Sequence, residues 1–271
     1  MSGALGDLRG ERALITGGGS GVGLAVAARL LDAGARLTLV GRSPERLAAA
    51  ARHLAARGAG APLDLDGRLR LAPCDVGDEG QVARAFEEAA RAFGPVSVLV
   101  NNAGAVETAP LAKTSLESFE GALRVNLTGA FLCARAALPA MLAARRGRII
   151  NVASTAALKG YAYCAAYCAA KHGLLGLTRA LALEVAAKGV TVNALCPGYT
   201  DTELVARAVE NIVAKTGRTA EQARAELASS NPQGRLIDPD EVALQALWLA
   251  SPAAASINGQ VIVIDGGELA G

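Results

Sequence analysis

The chain has 271 residues, of which 52% are hydrophobic and 19% charged, and its formal net charge is +2. That balance gives no electrostatic reason to bind nucleic acid or an anionic membrane, and the length suits one large domain with a sizeable core. Five scattered cysteines (Cys74, Cys133, Cys164, Cys168, Cys196) and two histidines, His53 and His172, read as reduced packing thiols with no metal site.

From the start of the chain, Met1 to Arg12 is polar and glycine-containing, with no export signal, and no apolar run looks long enough to cross a bilayer. A cytoplasmic protein is the expectation. Short β-branched or leucine-rich runs then alternate with alanine-rich helical ones. Strands are predicted at Arg12 to Thr16, Arg36 to Val40, Arg68 to Ala72, Val96 to Asn101, Arg148 to Ala153, Val190 to Leu195 and Gln260 to Ile264. Helices are predicted at Val22 to Ala33, Pro44 to Arg57, Glu79 to Phe93, Phe119 to Ala144, Ala165 to Ala187 and Asp240 to Leu249. Such alternation implies an α/β fold with a parallel sheet covered on both faces. With no linker and no internal repeat, residues 1–271 read as a single doubly wound, Rossmann-type domain of seven strands.

The first strand runs into Thr16-Gly17-Gly18-Gly19-Ser20-Gly21-Val22-Gly23 and then a helix. Glycines let a backbone approach a ligand closely, and a helix N-terminus offers free N–H groups to a pyrophosphate. A glycine-rich turn alone also marks plain loops; its place after the first strand makes it a dinucleotide site. The second strand ends in Gly41-Arg42-Ser43, with no carboxylate before Glu45. An acidic residue there would repel a 2′-phosphate, whereas Arg42 offers a bidentate guanidinium and Ser43 a hydroxyl, so NADP(H) is preferred and NAD(H) the second choice.

Later strands end in Cys74-Asp75-Val76, Asn101-Asn102-Ala103-Gly104, Ser154-Thr155 and Pro197-Gly198-Tyr199-Thr200. In an open parallel sheet these ends converge on one crevice. The sixth helix opens with Tyr167 and Lys171 four residues apart, hence one turn apart on one face. A cation beside a phenol lowers its pKa from about 10 and makes it a usable proton donor or acceptor. Tyr161 and Tyr163 have no lysine four residues on.

Between Thr202 and Gly234 an apolar stripe (Leu204, Val205, Val209, Ile212, Val213) precedes Gly217, and Thr219 with Gln222 forms a capping box. The stripe fits either a lid over the crevice or a permanently packed helical hairpin. Arg145, Arg146 and Arg148 fit a helix C-terminus better than a carrier-protein or coenzyme A docking patch. Leucines and alanines on several faces of Thr178 to Ala187 imply burial by something besides the sheet.

The combination Thr16-Gly17-x-x-x-Gly21-x-Gly23, Asn101-Asn102-Ala103-Gly104, Asn126, Ser154, Tyr167-x-x-x-Lys171 and Pro197-Gly198 resembles the short-chain dehydrogenase/reductase family over Gly10 to Gly267. The resemblance implies a catalytic tetrad of Asn126, Ser154, Tyr167 and Lys171. It also implies cofactor contacts from the Gly17–Gly23 turn, with Ser20 where many NADP-dependent relatives have a second basic residue. Asp75 and Val76 would serve the adenine, Asn102 to Gly104 the cofactor's length, and Pro197, Gly198, Thr200 and Thr202 the nicotinamide. Tyr167 and Lys171 would meet the cofactor too. Among family members the strings look most like 3-oxoacyl-thioester reductases and 3-hydroxyacyl or 3-hydroxybutyrate dehydrogenases. Polyketide or steroid ketoreductases are the alternative, and a non-enzymatic cofactor-binding regulator a remoter one. The resemblance further favours a lid at 202–234, a substrate carried free or as a coenzyme A or carrier-protein thioester, and a homotetramer or homodimer.

Overall fold

The computed structural model describes residues 6–57, 65 and 67–270, so the first five residues of the N-terminal stretch lie outside it. Seven strands pair in parallel: β1 (Arg12–Thr16), β2 (Arg36–Gly41), β3 (Leu69–Pro73), β4 (Val98–Asn101), β5 (Gly147–Val152), β6 (Val190–Pro197) and β7 (Val261–Ile264), in the order β3-β2-β1-β4-β5-β6-β7. The order reverses between β1 and β4, and at that point a crevice opens at the carboxyl edge of the sheet.

The inner strands β1, β4, β5 and β6 are mostly apolar and buried because both faces are covered. Ala13 and Ile15 of β1 point into one core cluster and Leu14 into the other, as do Val98 and Val100 against Leu99 in β4. The first cluster packs helices α1 (Gly21–Asp32) and α2 (Pro44–Ala55) together with residues of the helix Pro239–Ala250. The second packs α3 (Glu79–Phe93) and residues of the helix Gly129–Ala144.

The predicted helix Phe119 to Ala144 begins earlier and is not uniform. It divides into α4 (Leu116–Leu123), a π-helical turn (Arg124–Thr128) and α5 (Gly129–Ala144). By length and composition Leu116–Ala144 is apolar enough to cross a bilayer, contrary to the sequence expectation. Its apolar stretch lies toward the C-terminal part, past Glu117, Glu120 and Arg124, and there Leu132, Cys133, Ala137 and Met141 are packed on the sheet. After α6 (Ala165–Val185), α7 (Glu203–Thr216) and α8 (Ala220–Ala228) form the helical pair foreseen after the sixth strand, and α9 (Pro239–Ala250) follows.

A buried polar ladder fixes α6 to the sheet. Asn101 of β4 donates to Asn151 of β5 at 2.9 Å, and Asn151 donates to the Thr178 hydroxyl of α6 at 2.8 Å. Amide hydrogen bonds in a low-dielectric core are strong and specific, so this ladder holds the middle of α6 against β4 and β5.

Candidate active site

The glycine turn is shaped by its own backbone contacts. A Cβ on Gly23 would lie 2.4 Å from the Gly17 carbonyl oxygen, and Gly17 itself has φ of 64°. Only glycine satisfies both positions. Asn102 and Ala103 donate their backbone N–H groups to the Thr16 hydroxyl, each at 2.9 Å, while the Asn102 amide donates to the Thr16 and Gly17 carbonyls at 3.0 and 3.2 Å. The end of β4 thus braces the turn after β1. Thr16 and Asn102 act here as braces, and the sequence reading had given Thr16 no role.

This turn fits a dinucleotide. Ser20 occupies the N-cap of α1 without a side-chain cap and no acidic residue stands in the first turn, which leaves its N–H groups and dipole for an anion. By contrast Ser43 and Asp78 cap α2 and α3 with their side chains. Val22 packs its side chain against the core, so only its backbone faces the turn.

Just past the end of β2, Arg42 is exposed and, among the described residues, makes no hydrogen bond or ion pair. Ser43 is committed elsewhere: its hydroxyl accepts from Arg46 N–H at 3.2 Å and donates to Glu45 at 2.6 Å. Arg46, which the sequence reading passed over, packs along Gly19 and pairs with Glu203 at 2.9 Å. Its place three residues after a capping serine was the available signal. Asp75 accepts from Gly77 N–H at 2.9 Å and lies 3.6 Å from Arg124, and Val76 is buried against Gly129.

Beyond the switch point the four tetrad positions come together. Lys171, 3% exposed, donates through Nζ to the Val152 carbonyl at 2.9 Å, and that ammonium lies 5.6 Å from the Tyr167 ring centroid. Asn126 sits in the π-helical turn, donating to the Ala122 and Ala105 carbonyls at 2.9 and 2.8 Å. It therefore relieves the helix irregularity. A Cβ on Gly104 would stand 2.9 Å from Asn126 Oδ1 and 3.7 Å from Lys171 Nζ, so this glycine keeps the space between them open. Ser154 accepts from Ala156 N–H at 3.1 Å at the head of the short turn Thr155–Ala157.

The electrostatics correct one sequence expectation. Burial pushes the Tyr167 phenol up to about 12, with the Ser154 hydroxyl drawing it partly back, and Lys171 is not among the causes. Lys171 is itself held down to about 8 by burial. Spacing along a helix places the two groups correctly, but desolvation outweighs their mutual attraction.

The start of the segment after β6 packs against the glycine turn. A Cβ on Gly21 would meet the Thr202 methyl at 3.1 Å. Thr202 donates to the Thr200 carbonyl at 3.2 Å and Thr200 to the Gly198 carbonyl at 3.0 Å, giving a tight run after Pro197. The arginine cluster lies at the opposite edge of the sheet: Arg146 pairs with Glu11, and Arg145 donates to the Ala187 carbonyl at 2.9 Å.

A family model described as "Enoyl-(Acyl carrier protein) reductase" matches residues 17–268. A D-beta-hydroxybutyrate dehydrogenase of Cupriavidus necator is 39% identical over 97% of this chain and 99% of its own length. A D-threitol dehydrogenase of Mycolicibacterium smegmatis is 39% identical over 96% of this chain and 93% of its own. A crystal structure of an actinorhodin polyketide ketoreductase variant with NADPH superposes with a TM-score of 0.88 at 36% identity, covering 95% of this chain and 97% of that one.

Proposed function

The chain belongs to the short-chain dehydrogenase/reductase family, and from that premise we propose that it interconverts a ketone and a secondary alcohol with Asn126, Ser154, Tyr167 and Lys171 as its tetrad. The observation that carries this reading is the Lys171 ammonium 5.6 Å from the Tyr167 ring centroid, with Asn126 and Lys171 both bordering the space that Gly104 leaves open. A bound nicotinamide supplies or takes the hydride at the carbonyl carbon. Ser154 holds the substrate oxygen, and Tyr167, still protonated at neutral pH, gives that oxygen its proton during reduction. With a folded value of about 8, Lys171 can both carry and release a proton near neutrality, which suits it to refill Tyr167.

The cofactor is NADP(H) in preference to NAD(H). The free guanidinium of Arg42 at the end of β2 supports this, as does the NADPH-bound ketoreductase neighbour. The substrate class is a 3-oxoacyl thioester or a 3-hydroxybutyrate-like acid, supported by the hydroxybutyrate dehydrogenase relative. A bulkier polyketide-type ketone is the second reading, favoured by the ketoreductase neighbour. Because the arginine cluster is engaged at the far edge of the sheet, it offers a carrier protein no docking patch beside the crevice.

The protein works as a homotetramer or homodimer. Leu183 on α6 is 83% exposed and Phe131 on α5 and Leu116 on α4 are also uncovered, an apolar set suited to a second copy. NADPH oxidation by purified protein against acetoacetyl-CoA, a steroid ketone, a bicyclic ketone and simple aldehydes tests the assignment. Reaction with non-thioester ketones alone would sink the thioester reading, and cofactor binding without turnover on any carbonyl would leave a regulator.

A further inference from the structure

The chain's tail folds back onto the segment that joins Ser154 to the catalytic helix. Asp265 accepts from Gly267 and Leu269 N–H, each at 2.9 Å, making a turn. A Cβ on Gly266 would lie 1.9 Å from Asn231, so no side chain fits there and the turn is held in place. That turn delivers Glu268 into the interior, its side chain 3% exposed.

There the carboxylate is bound at one oxygen only. Tyr161 donates its hydroxyl to Glu268 Oε1 at 2.6 Å, and Lys159 Nζ reaches the same oxygen at 2.8 Å. The Thr155 hydroxyl lies 2.7 Å from that of Tyr161. Tyr161 has a single proton, which goes to Glu268, so Thr155 must be the donor between them. A directed chain therefore runs Thr155 to Tyr161 to Glu268, and Thr155 is the residue after Ser154. The Lys159 ammonium also lies 4.9 Å from the Tyr161 ring centroid, and Tyr199 packs edge-on against that ring at 6.1 Å.

The other oxygen, Oε2, is buried, has no hydrogen-bond partner among the described residues, and stands 3.2 Å from where a Cβ on Gly198 would be. The carboxylate thus touches Gly198 at the cofactor edge while gripping the segment beside Ser154. A buried charge held in this way is costly to keep and more costly to leave half-paired, which makes its partners hold one geometry.

We propose that Glu268 is a positioning residue for the reaction, a latch through which the chain's tail holds Tyr161, Lys159 and Thr155 so that Ser154 keeps its place opposite Tyr167. This rests on the catalytic reading of Ser154 and Tyr167. Glu268 touches neither of them. Its effect passes through the 155–161 segment.

The test uses the full chain with Glu268→Ala, Glu268→Gln and Tyr161→Phe. Glu268→Ala should speed amide hydrogen exchange across 155–163 while leaving α1 and α9 unchanged. It should also lower kcat by about 10- to 100-fold, as expected of a displacement of order 1 Å, with NADPH affinity retained. Glu268→Gln, which keeps an acceptor for Tyr161, should recover part of that loss, and Tyr161→Phe combined with Glu268→Ala should cost little more than either alone. Unchanged exchange at 155–163, or wild-type kcat in a folded Glu268→Ala, would overturn the latch. Should the unaltered protein reduce no carbonyl, the catalytic reading falls by itself, and the exchange measurement still decides whether the tail holds the segment.

Discussion

The Lys171 ammonium lies within 5.6 Å of the Tyr167 ring centroid, yet it spends its hydrogen bond on the Val152 carbonyl, 2.9 Å away at the end of β5. The lysine is thus tied to the sheet while sharing a helix face with the tyrosine. Each carries a pKa displaced by burial, and in both cases the neutral form is favoured.

These displacements make stability depend on pH with a definite sign. Lys171 titrates near 8 in the folded chain and near ~10.4 when unfolded, so between those values the unfolded state binds the extra proton. This group therefore makes stability rise with pH across that window, and its cost as a buried cation is fully present below it. Tyr167, pushed up to about 12, acts oppositely above ~10, where the folded state retains a proton the unfolded state loses. Melting temperatures of wild type and Lys171→Met, compared without cofactor, should converge as pH rises from 8 to 10. Parallel curves would show that Lys171 is charged when folded.

Asn126 closes the π-helical turn by serving two carbonyls at once. Asn126→Ala removes the donor from the Ala105 and Ala122 oxygens in a part-buried place, at a cost of about 0.5–1.5 kcal/mol for each bond. Denaturant unfolding should register this loss along with reduced turnover. An alanine variant of wild-type stability would remove the helix-repair role.

Arg42, just past the end of β2, is exposed and has no side-chain partner among the described residues, while Glu45 is turned back onto Ser43. A charge-assisted hydrogen bond contributes about 1.5–3 kcal/mol, or roughly ten- to a hundredfold in affinity. Arg42→Asp should weaken NADPH by that factor and NADH much less, as read by fluorescence titration. Equal losses for both would mean that Arg42 does not read the phosphate.

The lid reading concerns α7 and α8, whose exposed residues outnumber the buried Val205 and Ala223. Few buried contacts make for easy local opening. Hydrogen exchange in 203–228 should slow when NADPH and a product alcohol are added together. Exchange indifferent to both ligands would favour a permanently packed hairpin.

Much of this was readable in the sequence, for physical reasons. Helix Glu79–Phe93 and strand Arg12–Thr16 stand where the apolar periodicity put them, and the carboxyl-edge clusters converge as a parallel sheet requires. Solvation was not readable. Four-residue spacing gives the Tyr167–Lys171 juxtaposition but says nothing of how dry it is, so the direction of the phenol shift came out reversed. Nor does a pattern of side chains reveal an extra residue in a helical turn, so the π-helical turn around Asn126 was invisible although the family resemblance had picked out the residue itself. Tyr161 was passed over for lacking a lysine one turn on. Its partners, Glu268 and Thr155, come from the far end of the chain and from a six-residue loop, separations that no local period connects.

The central claim is that Tyr167 delivers the proton. The most direct measurement is NADPH oxidation by purified Tyr167→Phe beside wild type, on whichever carbonyl of the panel wild type reduces best. Loss of positioned acid catalysis predicts a fall in kcat of about 10²–10⁴-fold, with the melting temperature and NADPH affinity of the folded protein kept. Turnover close to that of wild type in the phenylalanine variant would contradict the account.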